Sequence, residues 1–345
     1  MCASRSSSPS QKRASIGASC ALRLPLPPPS GLPLVYIADR MDIDDPLWGY
    51  QVRSEEQDWL QGYLTKLNQS AAPALVYPRC GKAGSSTIIG LLKHLAHQND
   101  FFVLDAKKYN SSIISVSRPI RIAFVAHGIF HAVNARVRPV VWINVVREPI
   151  IRMSSSFYYR VSPTNRGMRR VNRTLQAMHL GARCDCSLYE FDECIRRSVT
   201  LNCSQNLAIP SQRLNFCTKA EWRNGRCTAA FAAERIDREF SFVGLTEELN
   251  LTVRLLERVL PSFFRGAMHV YNQRHHERVT AFENELTGTT MAGAISNRAR
   301  ELILGHETTR AHNGEEMRFY DMVRRRFWQR AVTLLGADYP LDRRV

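Results

Sequence analysis

The sequence predicts an α/β domain of three layers, with helices covering both faces of a parallel sheet. Two observations predict it. Apolar strand-like runs alternate along the chain with segments of helical periodicity, the order that builds parallel sheets. One run, Val140-Val-Trp-Ile-Asn-Val-Val146, is apolar at almost every position instead of every second one, as a strand buried on both faces requires. The chain has 345 residues, 44% of them hydrophobic and 23% charged. That length and composition suffice for a sizeable core.

Residues 1–45 are rich in Ser, Pro and Arg without periodicity and read as a disordered segment or linker. Residues 46–70 form a helical lead-in, with Trp59, Leu60, Tyr63, Leu64 and Leu67 at helical spacing over 51–68. The folded domain is expected over 71–345. Its first strand is Ala74–Tyr77, followed by the loop Pro78-Arg-Cys-Gly-Lys-Ala-Gly-Ser-Ser-Thr87. Ile88, Ile89, Leu91, Leu92, Leu95 and Ala96 then mark one face of a helix. Residues 122–126 predict a second strand, ending at His127, and Val140–Val146 a third. Pro149 suits the first turn of the helix that follows. Ser241–Leu245 predicts a fourth strand, residues 249–260 a helix stopped by Pro261, and 315–335 a last amphipathic helix. No internal repeat is present.

The formal net charge is +16. Such an excess favours a polyanionic partner: nucleic acid, an acidic membrane surface or an acidic polysaccharide. No nucleic-acid-binding motif appears, which counts against the first. Six of the nine cysteines (Cys184, Cys186, Cys194, Cys203, Cys217 and Cys227) fall in one stretch. They do not form two CxxC pairs and no His-x3-5-His follows, so a zinc site fits poorly. Disulfides closing short loops fit better and imply an oxidising compartment. Five N-x-S/T sequons, at Asn68, Asn110, Asn172, Asn202 and Asn250, point the same way. No entry signal is clear. The apolar stretch Leu32–Ala38 is too short to span a membrane, and Arg23 and the run Pro25–Pro29 interrupt the segment before it. The expectation is that the true N-terminus is missing or replaced.

A strand, a Gly-containing loop and a helix together can hold a phosphate at the helix N-terminus. Gly81 and Gly84 let backbone N–H groups approach an anion. Lys82 adds a point charge, and Ser85, Ser86 and Thr87 supply hydroxyls where the helix dipole is positive. The loop is not a Walker A motif, because two residues separate Lys82 from Ser85. Taken alone, it reads more readily as a surface turn that needs glycines.

Pro78–Thr87 resembles the 5'-phosphosulfate loop of Golgi carbohydrate sulfotransferases. Val145-Val-Arg-Glu-Pro-Ile-Ile-Arg-Met-Ser-Ser155 resembles their 3'-phosphate element: a strand, then Arg-Asp-Pro, then a serine eight residues after the arginine. Phe191-Asp-Glu-Cys194, Phe242-Val-Gly-Leu-Thr-Glu-Glu-Leu249 and Leu260-Pro-Ser-Phe-Phe-Arg-Gly266 are similar to segments of the uronosyl 2-O-sulfotransferase family, whose members act on heparan sulfate or on dermatan and chondroitin sulfate. The resemblance covers about residues 72–335. It implies a P-loop-like sulfotransferase fold and 3'-phosphoadenosine-5'-phosphosulfate (PAPS) as donor, without a metal. It also implies an acidic polysaccharide as acceptor, a homo-oligomer (a trimer in at least one branch) and a type II membrane protein facing the Golgi lumen.

The resemblance also implies residue roles. Lys82 would neutralise the bridging oxygen as phosphosulfate splits, and Ser85, Ser86 and Thr87 would hold the 5'-phosphate. Arg147 and Ser155 would grip the 3'-phosphate, for which a guanidinium fork is suited. The bland alternative for Arg147 is a strand-end salt bridge with Glu148 or another acid. His127 stands in the place of the catalytic histidine and would act as general base, with His131 as rival. Arg79 would face donor and acceptor carboxylate. The basic run Arg166, Arg169, Arg170 and Arg173 would track the polysaccharide, and Arg278 and Thr280 lie where the family has a loop covering PAPS. Pairings Cys194–Cys203 and Cys217–Cys227 follow from the family's cysteines. Two other readings stand beside this one: a P-loop kinase, which the loop spacing disfavours, and a non-catalytic polyanion-binding relative.

Overall fold

The structure, a computed structural model, describes residues 73–106, 121–128, 130, 139–161, 184–186, 188–273 and 295–336. Among these residues five strands form one parallel sheet: β1 (Ala74–Arg79), β2 (Phe102–Ala106), β3 (Ile122–His127), β4 (Val140–Val146) and β5 (Phe240–Leu245), in the order β2-β3-β1-β4-β5. Helices flank the sheet in the expected three-layer arrangement. The expected lead-in helix over 51–68 lies outside the described residues.

The chain leaves β1 toward β2 on one side of the sheet and leaves β4 toward β5 on the other. A crevice therefore opens beyond the carboxyl ends of β1 and β4, the place where open α/β sheets bind ligands. The ladder between these strands pairs Ala74–Val76 with Val140–Trp142. Pro78 has no N–H to continue it. The buried Asn144 side chain spans the gap instead, its Nδ2 donating to the Pro78 carbonyl at 3.0 Å.

Four of the strands were expected; β2 was not. It follows α1 (Ser85–Gln98) after a turn through Asn99 and Asp100, and among the described residues it pairs with β3 alone. Its Phe102 and Leu104 are exposed, so it carries none of the continuous burial that marks β1 and β4. At β5 the sheet meets α6 (Leu249–Val259) closely. A side chain at Gly244 would run into Thr252 Cγ2. Thr252 Oγ1 meanwhile accepts from Leu245 N at 3.0 Å and donates to Leu245 O at 2.9 Å. Only glycine permits that approach.

α2 (Pro149–Val161) has two working faces. Ile150, Met153 and Phe157 are buried in a second core with Phe191 and Ile195 of α3 (Phe191–Thr200), whose Phe191 ring lies 5.5 Å from that of Phe157. Arg152, Ser155 and Tyr159, at the same spacing, occupy another face. Two short helices follow α3, α4 (Lys219–Arg223) and then α5 (Ala229–Glu239) before β5. Beyond α6 come α7 (Pro261–Phe264), α8 (Asn297–Gly305) and the long α9 (Glu307–Leu335). The last helix begins eight residues before the expected 315.

The six clustered cysteines form three disulfides, which removes them as zinc ligands. Cys217 pairs with Cys227. The expected Cys194–Cys203 bond does not form: Cys194 pairs with Cys186 and Cys203 with Cys184. The reason is geometric. Cys194 sits in the first turn of α3 and Cys203 beyond its last residue, so six helical rises alone put about 9 Å between the turns they occupy. A disulfide tolerates about 7 Å between Cα atoms. Segment 184–186 bridges both ends of the helix, with Cα separations of 5.8 and 5.3 Å. Peptide mapping without reduction is expected to recover these three bonds. A Cys194–Cys203 peptide would refute the placement of segment 184–186.

Candidate active site

The loop after β1 is shaped by two left-handed residues, Lys82 at φ 66° and Gly84 at φ 68°. A non-glycine residue rarely adopts this conformation, and at Lys82 it reverses the backbone so that the loop closes onto α1. Among the described residues no side chain caps α1, and no acidic residue stands in its first turn. Its first N–H groups and the positive end of its dipole thus face the crevice with Ser85, Ser86 and Thr87. Cys80, the free cysteine in the loop, is buried, and burial pushes its thiol further up from thiolate formation.

α2 closes the other side of the loop. Arg152 Nη1 donates to the Gly81 carbonyl at 3.2 Å and Arg147 Nη1 to the Lys82 carbonyl at 3.3 Å. Lys82 Nζ lies 4.0 Å from the ring centroid of Tyr159, a cation–π contact worth about 0.5–2 kcal/mol. Ser155 falls between Arg152 and Tyr159 on that face. Burial, and then the neighbouring Arg147, push the Lys82 ammonium below its ordinary value.

Arg147 does not form the strand-end salt bridge with Glu148. Glu148 caps α2 by accepting from Ile151 N at 2.6 Å and pairs with Arg300 at 3.1 Å. The guanidinium of Arg147 is held below its usual range by burial, a shift that Glu247 and Glu148 oppose and Arg152 reinforces. Arg79 Nε and Arg152 Nε are buried without a hydrogen-bond partner among the described residues.

His127 ends β3 directly beside Arg79, the two being the last paired residues of β1 and β3. Its side chain is exposed. Partial desolvation, then Arg79, lower its pKa from the ordinary imidazole value, while Asp105 acts in the opposite direction. Asp105 also lies 3.8 Å from Arg79 Nη2 and 2.8 Å from Lys93 Nζ.

Arg79, Gly81, Lys82, Gly84, Ser85, Ser86, Thr87, Arg147 and Ser155 thus lie on the elements that leave the carboxyl ends of β1 and β4, with His127 at the end of the neighbouring β3. Arg166, Arg169, Arg170, Arg173, Arg278, Thr280 and the rival His131 lie outside the described residues. Sequence reasoning passed over Arg152 and Tyr159, although helical spacing from Ser155 would have flagged both. It also passed over Gln212 and Asn215, which carry no local signal. Among the described residues no group of three or more His, Cys, Asp or Glu side chains could hold a metal ion.

No family model matches the chain. Curated relatives do. It is 25% identical over 228 residues to uronyl 2-sulfotransferase of Homo sapiens, covering 59% of this chain and 52% of that protein. It is 27% identical over 253 residues to heparan sulfate 2-O-sulfotransferase 1 of Homo sapiens, covering 66% of each. The Mus musculus protein of the latter name is 28% identical over 247 residues, 63% of this chain and 64% of that protein. The chain therefore spans between half and two thirds of the length of the curated relatives it matches. The loop after β1 and the junction of β4 with α2 thus belong to a chain similar in sequence to uronyl 2-sulfotransferase and heparan sulfate 2-O-sulfotransferase 1.

Proposed function

We propose that this chain is a sulfotransferase that takes PAPS as donor and sulfates the 2-hydroxyl of a uronic acid in an acidic polysaccharide. The observation that carries the reading is the convergence of Lys82, the uncapped start of α1 and Arg147 on one crevice, with His127 at the adjacent strand end. PAPS would supply an activated sulfuryl group on a good leaving phosphate. Lys82 and the first N–H groups of α1 would neutralise charge on that phosphate, as preorganised donors do. Arg147 and Ser155 would hold the 3'-phosphate. His127 would take the proton from the acceptor hydroxyl, and Arg79 beside it would orient the uronate. The net charge of +16 suits a polyanionic acceptor. The relatives' names support a glycosaminoglycan-like acceptor.

The three disulfides suit an oxidising compartment, and we place the protein in the Golgi lumen as a membrane-anchored homo-oligomer, with a trimer as the family's precedent. Among the described residues no helix is long and apolar enough to cross a membrane.

The test is transfer of labelled sulfate from PAPS onto a panel of desulfated polysaccharides, with calorimetry of 3'-phosphoadenosine-5'-phosphate (PAP) and AMP alongside. Transfer to a uronate 2-hydroxyl is expected, with PAP bound more tightly than AMP and Arg147→Ala erasing most of that preference. Equal affinity of the wild type for both nucleotides would remove the 3'-phosphate site. PAP binding without turnover on any acceptor would favour a polyanion-binding relative.

A further inference from the structure

One segment, residues 210–216, is hydrogen-bonded to the Arg152 side chain and to the main chain of Arg147, Pro78, Arg79 and Gly128. The Pro210 carbonyl accepts from Arg152 Nη2. Gln212 grips the Arg147 backbone on both sides: Arg147 N donates to Gln212 Oε1 at 3.2 Å, and Gln212 Nε2 donates to Arg147 O at 2.8 Å. Asn215 Nδ2 donates to Gly128 O at 2.6 Å and lies 3.3 and 3.4 Å from the carbonyls of Pro78 and Arg79. These carbonyls stand at the ends of β1 and β3, where the ladder runs out after the pair Arg79–His127. Buried carbonyls there need donors from elsewhere, and Asn215 supplies them from 87 to 137 residues away.

The segment is itself fixed from outside the site. Glu316 of α9, fully buried, accepts from Ser211 Oγ and Arg213 Nε at 2.6 Å and from Gln212 N at 3.0 Å. Arg213 Nη1 adds the carbonyl of Cys227 at 2.9 Å, and the Cys217–Cys227 disulfide closes the far end. Both Gln212 and Asn215 are buried. Neither can be solvated if its partner is lost, so each holds its target firmly.

We infer that residues 210–216 form a positioning bracket with two separable duties: Gln212 sets Arg147 for recognition of the nucleotide, and Asn215 sets the strand ends that carry Arg79 and His127 for the proton transfer. This rests on the proposed sulfotransferase reading. The bracket ties the end of β4 to the ends of β1 and β3, in addition to the bonds of Arg147 and Arg152 to the loop after β1. Neither residue is within the two phosphate motifs.

The experiment compares Gln212→Ala, Asn215→Ala and Asn215→Ser with the wild type, measuring PAP and AMP affinity and, separately, the single-turnover rate of sulfate transfer at saturating PAPS. Gln212→Ala is expected to cut the preference for PAP over AMP by roughly tenfold, the loss of about 1.4 kcal/mol. Asn215→Ala should keep that preference and lose about 10²-fold in the transfer rate, the penalty of a small misplacement of reacting groups. Asn215→Ser retains a donor and should recover part of the rate; should the alanine variant not fold, the serine variant alone carries the comparison of rate against affinity. If both sites lower both readouts in proportion, the segment is merely structural and the inference fails. Unchanged variants overturn it equally. A wild type that neither prefers PAP nor transfers sulfate defeats the functional reading itself, and the bracket with it, and the wild-type arm alone reveals that case.

Discussion

Lys82→Ala is expected to lose turnover by about 10²–10³-fold, the usual effect of removing one preorganised donor at a developing charge, while the protein stays folded. The side chain has no part in the core. It lies partly exposed against the face of Tyr159, and its removal leaves the Arg147 bond to the Lys82 carbonyl in place. The backbone at position 82 is left-handed at φ 66°, and alanine tolerates that no better than lysine, so any destabilisation should stay near 1 kcal/mol. The ammonium is what the chemistry lacks in the variant. Burial and Arg147 already disfavour its charge, and a bound phosphosulfate would relieve that. Single-turnover sulfate transfer, with circular dichroism and a thermal melt as the folding control, measures the effect. A rate near that of the wild type in folded protein would end the assignment of Lys82 to the leaving phosphate.

The parts of this fold that were legible in the sequence are those whose burial is continuous or whose chemistry is local. β4 could be read because both of its faces are covered, leaving Val140–Val146 apolar everywhere but Asn144. The phosphate loop could be read because glycines, a lysine and three hydroxyls fall within ten residues. β2 could not, because a sheet-edge strand that turns Phe102 and Leu104 outward has no apolar run that marks burial. The disulfides were legible as a class, but their connectivity depends on which residues a helix separates, and no count of cysteines supplies that. Cys194 and Cys203 are close in sequence yet stand at opposite ends of α3. Gln212 and Asn215 show the same limit at the site. Each acts on main-chain atoms at least 65 residues away, and a hydrogen bond to a carbonyl demands no particular partner residue.

His127→Ala is expected to lose the chemical step, by about 10²–10⁴-fold for a positioned general base, while keeping its affinity for PAP. The split follows from placement. His127 ends β3, next to β1 and two strands from β4, the strands followed by Lys82 and Arg147, so it would meet the acceptor hydroxyl and not the nucleotide phosphates. A base works only when neutral. Desolvation and Arg79 lower the pKa of this imidazole, with Asp105 opposing. The acid limb of the rate profile should therefore lie below about 6.5, the unperturbed value, with activity lost as pH falls through the lowered pKa. Arg79→Ala removes a positive neighbour and frees Asp105 from its partner at 3.8 Å. Both changes favour the imidazolium, so in that variant the acid limb should move to higher pH. A pH–rate profile of the wild type and of Arg79→Ala, together with PAP calorimetry on His127→Ala, measures all of this. An acid limb that ignores Arg79, or a His127→Ala enzyme that still transfers sulfate, would place the base elsewhere.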